Sequence, residues 1–386
     1  MPSSTHAAPP VEAPAQGPTG RIAGVALLLF LAAGCASTLW AVATGRLDLQ
    51  PKPVTPAAVV EGMAMRDMAA ALARAPVAAG AAALERQASW LVLRDLGPQV
   101  REGCPGWLFL ADELRPHPQG DAALAARAQA VVDVRDRLRD RGIALAVVLV
   151  PDKSRVAAAA LCGLHRPAAF APRLASFDRR LRDAGVPVVD TTAALSALPA
   201  PFLRTDTHWT EAGAQAAAQA AAGPIRNLHL DLQPVRQWEV EAGAPQRRPG
   251  DLVRLAGLDT LPLAWQPRPE EDTRSRFTER SPAPPGVAAA PAAASPADDL
   301  FGDSQLPQVA LVGTSFANTS QFVPFLAAAL GTPVGNFARD GGDFWGSIGA
   351  YVRSPAFRDT PPRLLVWEIP ERTLQMPMNG ERWTLD

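Results

Sequence analysis

From about Trp90 onward the chain alternates between helical and extended hydrophobic spacing. Between Asp121 and Arg141, Leu124, Ala128, Val131, Val134 and Leu138 recur every three or four positions. That spacing predicts an amphipathic helix with Asp121 as its N-cap and Gly142 as its stop. The run that follows, "IALAVVLV" (Ile143–Val150), is apolar throughout, the mark of a strand covered on both faces. The unit recurs as "FDRRLRDAG" with "VPVVD", and again in "SQFVPFLAAALG" and "PRLLVWEIP". Strands alternating with helices predict an α/β fold built on a mainly parallel sheet. Residues 96–386 are assigned to this domain, with 265–300 as a Pro/Ala/charge-rich insertion that carries no period.

The N-terminal pattern is different. Residues 1–21 are rich in Pro, Ala and Ser and predict a disordered tail. Then "IAGVALLLFLAAGCASTLWAVAT", residues 22–44, runs without a charge. At about 1.5 Å per residue this is long enough for a hydrocarbon core of roughly 30 Å. Three readings fit: a signal peptide cleaved after "AVA" (Ala41–Ala43), a lipoprotein signal ending at Cys35, or an uncleaved anchor. The apolar run is too long for an ordinary signal and continues past Cys35, which favours the single-span anchor. Arg21 precedes the span and Arg46 and Lys52 follow it, so flanking charge does not settle orientation. Residues 45–95 read as a stalk with short helices, in which Met63, Met65 and Met68 share one helix.

Composition removes some functions. In 386 residues, Lys+Arg 37 against Asp+Glu 38 leaves a net charge of -1, without the basic footprint of a nucleic-acid binder. The excess of alanine, with 39 prolines, reflects base composition and not activity. None of the five histidines sits in an HExxH motif, no CxxC exists, and no metal or cofactor is expected.

Two short stretches carry candidate chemistry. In "QVALVGTSFANTSQF" a β run ends in Gly313-Thr314-Ser315 and a helical segment follows. Ligands of parallel α/β folds bind beyond the carboxyl ends of the strands, so Ser315 on that turn points into the crevice. An N-capping role for Ser315 or Asn318 is the plainer alternative. "FGDSQ", with Gly302-Asp303-Ser304, looks like a rival, but no apolar strand leads into it. A serine needs a base, and the base needs an acceptor that fixes its tautomer. "RTDTHWTEAG" (Arg204–Gly213) offers Asp206 and His208, which share a face if the segment is extended. Whether the carboxylate then meets the imidazole depends on the local turn, and a surface Asp beside a packed His is the bland alternative.

Six blocks, "CPGWLFL", "LVPDKSRV", "RTDTHWTEAG", "LVGTSFA", "NFARDGG" and "VWEIPER", occur in this order between about Leu96 and Arg372. Their order and spacing resemble the AlgJ/AlgX-type polysaccharide O-acetyltransferases, which carry an SGNH-hydrolase-like domain. The Asp/His pair precedes the serine, the reverse of ordinary SGNH hydrolases and the order of this family. Thr314 stands where many members carry Asp.

The resemblance implies a Ser315-His208-Asp206 triad and an acetyl-serine intermediate. It implies an oxyanion site formed by the N–H of Ser315 with a donor near Gly341 or Gly342, where a plain turn is the alternative. Lys153 and Arg372 fall at strand ends and are candidates for binding an anionic sugar or an acceptor carbonyl. Either can equally be a structural ion pair, the preferred reading for Arg372. The implied partners are a polysaccharide acceptor, a membrane-bound O-acyltransferase supplying acetyl groups, and the inner membrane, with the catalytic domain in the periplasm. No carbohydrate-binding module is evident after Arg372, so the acceptor is expected to be handed over by partners. A secreted esterase with the same triad and a non-catalytic scaffold are the competing functions. With Cys35 in the span, Cys104 and Cys162 remain for the exported domain, where an oxidising compartment favours a disulfide and two buried thiols are the alternative.

Overall fold

The computed structural model describes residues 18–50, 56–60, 62–280 and 306–378, in two compact units that meet at Leu93 and Arg94. The tail up to residue 17 with His6, the stretch 281–305 with the Gly302–Ser304 rival, and residues 379–386 lie outside the described residues. In the first unit, one helix of Gly20–Ala43 is long and apolar enough to cross a membrane, with a mean hydropathy of 2.2. Helices Met63–Ala73 and Pro76–Leu93 follow, bent at 76° to each other. Ala41, Leu47, Ala71 and Ala75 form the small core of this unit.

The second unit is built on a five-stranded, all-parallel sheet in the order β10-β9-β11-β3-β4. Its strands are β3 (Ala144–Val150), β4 (Val188–Asp190), β9 (Val309–Val312), β10 (Val334–Asn336) and β11 (Leu364–Pro370). β11 pairs along its full length with β3 and over four residues with β9, so the last described strand lies in the middle. The apolar runs read from sequence are buried on both faces, with Leu145 to Val150 all inaccessible. Helices Gly120–Arg139, Arg173–Asp183 and Gly346–Val352 cover one face. Glu211–Arg226 and Phe322–Leu330 cover the other. The alanine-rich helix buries Ala214, Ala217, Ala218, Ala221 and Ala222, small side chains that let it approach both the sheet and Phe322–Leu330 closely.

Two expectations need correction. The helix at 120 is capped by Gln119 in a left-handed conformation, not by Asp121, whose carboxylate instead accepts from Gln375 Nε2 at 3.0 Å. The stretch 265–300 is not uniformly irregular. β7 (Glu270–Asp272) pairs with β6 (Gln246–Arg248), and β8 (Arg276–Arg280) pairs with β5 (Gln237–Glu241), both antiparallel. These strands are only three to five residues long and mostly exposed, which leaves little apolar pattern to read.

A hairpin of β1 (Val100–Glu102) and β2 (Leu108–Leu110) precedes the sheet. Cys104 at its turn is bonded to Cys162, beyond the end of β3, with a Cα–Cα distance of 5.0 Å. On the chain-entropy model, closing a loop of this size stabilises by about 4 kcal/mol. Thiol titration of the denatured, unreduced chain should therefore detect Cys35 alone. Three reactive thiols would refute the bridge.

Candidate active site

The strands deliver the site at their carboxyl ends. β9 stops at Val312, and the chain turns through Gly313 and Thr314 into the short helix Ser315–Asn318. The half-buried Ser315 Oγ lies 2.7 Å from His208 Nε2. His208 Nδ1 lies 2.6 Å from Asp206 Oδ1. Asp206 and His208 do not meet across an extended segment. A bridge between Phe202 and Trp209 closes a tight loop, in which the His208 N–H also donates to Asp206 Oδ1 at 3.0 Å. This Asx-type turn brings the carboxylate under the ring. Trp209 is a wedge, packed on Phe316 and Phe322, and the His208 ring stands edge-on to Phe316 at 5.0 Å. Thr210 caps the next helix by accepting from the Gly213 N–H, and Gly213 is required because a Cβ would sit 2.3 Å from Pro201 O.

The second oxygen of Asp206 is also engaged. Arg248 Nη1 donates to Oδ2 at 2.9 Å and the Asp251 N–H at 3.0 Å. Burial alone would raise the Asp206 carboxyl, but the bonds and charge of His208 and the charge of Arg248 outweigh it and hold it well below the usual carboxylate range. Asp251 Oδ2 lies 3.6 Å from His208 Nδ1, and its Oδ1 accepts from Thr207 N–H and Oγ1. Burial, then the charge of Asp206, raises Asp251. Asp206, His208 and Asp251 are close enough to bracket a metal ion. Both ring nitrogens, however, already have partners in Asp206 and Ser315, which is the arrangement of a proton relay.

A cleft of ≈ 180 Å³ opens beside Ser315, lined by Leu110, Asp112, Thr314, Gly341, Gly342 and Arg372 among others. Among the described residues the N–H groups of Ser315 and Gly341 have no protein acceptor. The Gly342 N–H donates to Arg339 O at 3.0 Å, so of the two glycines only Gly341 keeps a free donor. Arg372 borders the cleft with its guanidinium 5.2 Å from the Phe316 ring centroid. The ion pair preferred for Arg372 from sequence is not formed among the described residues.

Lys153 is the clearest correction. Its side chain is 0 % exposed, and Nζ donates to the carbonyls of Leu108, Arg204 and Asp206 at 2.6, 2.8 and 2.9 Å. It binds no sugar in the crevice, because it lies beneath the site and ties the hairpin to the Asp206 loop. Burial, against the raising pull of Glu113, Asp206, Glu270 and Asp251, lowers this ammonium to about 8. Sequence reasoning missed Arg248, Asp251 and Glu368. The first two lie in "RRPGD", where only the Gly-Asp step before a short apolar run signals a turn. Glu368 was legible as a lone charge inside the apolar run "LLVWEIP".

A serine hydroxyl bonded to an imidazole that is bonded to a buried carboxylate, at a strand end of an SGNH-like α/β sheet, is an arrangement suited to acyl transfer. A family model described as "SGNH hydrolase-like domain, acetyltransferase AlgX" matches residues 100–371, and the chain belongs to this family of O-acetyltransferases. The probable alginate O-acetylase AlgJ of Pseudomonas aeruginosa is 36% identical over 295 residues, covering 75% of this chain and 74% of that protein. The alginate biosynthesis protein AlgX of Azotobacter vinelandii is 29% identical over 284 residues, 68% of this chain and 52% of that one. The solved O-acetyltransferase domain of Pseudomonas putida AlgJ superposes with a TM-score of 0.59 at 31% identity, covering 72% of this chain and 93% of that domain.

Lys153→Met keeps the stem but removes the three donors, leaving buried carbonyls unpaired. Urea denaturation should show a loss of roughly 2–4 kcal/mol. Unchanged stability with weakened acceptor binding would return Lys153 to the crevice.

Proposed function

We propose that this chain transfers acetyl groups to hydroxyls of an exopolysaccharide through an acetyl-serine on Ser315. The observation that carries this is the continuous contact Ser315 Oγ–His208 Nε2–His208 Nδ1–Asp206 Oδ1 at 2.7 and 2.6 Å. Ser315 Oγ attacks the acetyl carbonyl as its proton passes to His208 Nε2, and Asp206 holds the imidazolium so formed. The developing oxyanion is met by the N–H of Ser315, with Gly341 as the second donor. His208 returns the proton to the departing donor group. A sugar hydroxyl then loses its proton to His208 and attacks the acetyl-serine, and as the acetyl–Oγ bond breaks His208 passes that proton to Ser315 Oγ, releasing the sugar ester and restoring the serine. In this reading a membrane-bound O-acyltransferase supplies the acetyl group.

A second cleft supports an acidic acceptor such as alginate, the polymer in the names of the AlgJ and AlgX relatives. It measures ≈ 460 Å³ and is lined by Arg247, Arg248, Arg274, Asn318 and Asn336 among others. Arg248 joins it to Asp206, and Arg274 has no carboxylate partner among the described residues. The apolar helix and the disulfide support a single-span anchor with the domain in the periplasm.

Ser315→Ala, His208→Ala and Asp206→Ala should each abolish most hydrolysis of a chromogenic acetate while the fold persists. Their combination should be little worse than the worst single change. Near wild-type turnover in His208→Ala would sink the triad, and Ser304→Ala should be silent. Arg274→Ala should raise KM for an oligouronate acceptor several-fold and leave acetate hydrolysis unchanged. Equal effects on both substrates would remove this cleft as the acceptor site. An export-dependent reporter fused after Asp386 should be active, and activity of a cytoplasm-only reporter instead would reverse the orientation.

A further inference from the structure

The Glu368 carboxylate lies directly beneath the nucleophile turn. It belongs to the centre of β11 and is 1% exposed. Its Oε2 accepts from the Thr314 N–H at 2.6 Å and from Thr314 Oγ1 at 3.0 Å. Thr314 Oγ1 in turn accepts from the Phe316 N–H at 3.4 Å, capping the short helix. The residues before and after Ser315 are thus tied to one carboxylate, while the Ser315 N–H has no acceptor among the described residues. Gly313 shows how tight this contact is, because a Cβ there would stand 2.5 Å from Glu368 Oε2. Glu371, three residues on, has a different task, since its carboxylate is surrounded by Arg155, Arg166 and Arg173.

We infer that Glu368 is a positioning residue for acyl transfer, its ionised carboxylate fixing Thr314 so that Ser315 presents both its hydroxyl and its N–H to the cleft. The inference rests on the acyl-transfer reading of Ser315 and extends it to a residue that touches neither substrate nor imidazole. It also accounts for threonine at 314. A threonine gives the carboxylate a second donor, whereas an aspartate there would face it with a second negative charge.

The ion is held where burial disfavours it. Desolvation pushes Glu368 up to about 6, against the lowering pull of Thr314, Arg372 and His208. For an acid raised in the fold, stability is lost as pH rises from the ordinary glutamate range through about 6, and the full cost is present above that. Glutamine keeps the shape, an acceptor for the Thr314 N–H and a donor for its hydroxyl, and removes the charge.

Glu368→Gln in the full chain should therefore melt at the same or a higher temperature at pH 7.5. Its kcat on a chromogenic acetate should fall about tenfold or more, with KM changed less than about twofold. Covalent labelling of Ser315 by a sulfonyl fluoride should slow in parallel. In a Thr314→Val background the same change should cost much less, because the two residues act through one contact. Wild-type kcat in Glu368→Gln, or a loss of kcat that tracks a lowered melting temperature, would overturn the inference. Ser315→Ala run alongside separates the two levels. If it stays active, the acyl-transfer reading falls and this inference with it. If it is inactive while Glu368→Gln turns over normally, only the role of Glu368 falls.

Discussion

One buried carboxylate organises the site. Asp206 accepts from the ring and backbone nitrogens of His208 on one oxygen, and from Arg248 and the Asp251 N–H on the other. Four donors around an inaccessible anion offset its desolvation and leave it one orientation. The Lys153 ammonium holds the carbonyl of the same residue from below. Asp206 is thereby fixed through both its side chain and its backbone, and the imidazole inherits that fixity. The imidazole defines where a serine hydroxyl must lie, and β9 delivers it there.

The charges below the site work on a larger scale. Asp152, after β3, and Glu371, after β11, share Arg166 and Arg173, and Arg155 joins Glu371. The Asp152 N–H also donates to Glu371 Oε2 at 3.1 Å. Burial and the neighbouring Glu371 raise Asp152, while the arginines hold Glu371 low despite its own burial. These ion pairs lock the carboxyl ends of two adjacent strands. Losing Glu371 would strip Arg155, Arg166 and Arg173 of a shared carboxylate, and leaving buried charge underpaired costs more than a pair contributes.

The sheet was legible because parallel strands buried on both faces are written as short, nearly continuous apolar runs, as in "IALAVVLV" and, broken only by Glu368, "LLVWEIP". Asp206, His208 and Ser315 were legible as candidates through a short spacing, a strand-to-helix turn and the order of the matched blocks, but the turn that joins the first two was not. What stayed hidden depends on long-range contact. The ribbons at 237–280 are short and mostly exposed, and their pairing joins segments distant in sequence, yet they bring Arg248 to Asp206 from 42 residues away. Lys153 was misplaced for a related reason. A lysine just past a strand reads as a surface charge, and only the folded hairpin shows three carbonyls converging on it.

The strand order has a consequence for how the enzyme comes into being. β3, β4 and the loop bearing Asp206 and His208 emerge first during synthesis, and β9 with Ser315 emerges much later. In the finished sheet these halves are not neighbours, because β11 lies between them. Until β11 slides into place, base and nucleophile sit on two pieces of sheet joined only through contacts such as the packing of Trp209 on Phe316 and Phe322. Ser315 and His208 therefore come into register only when the strand between their two halves of the sheet is in place.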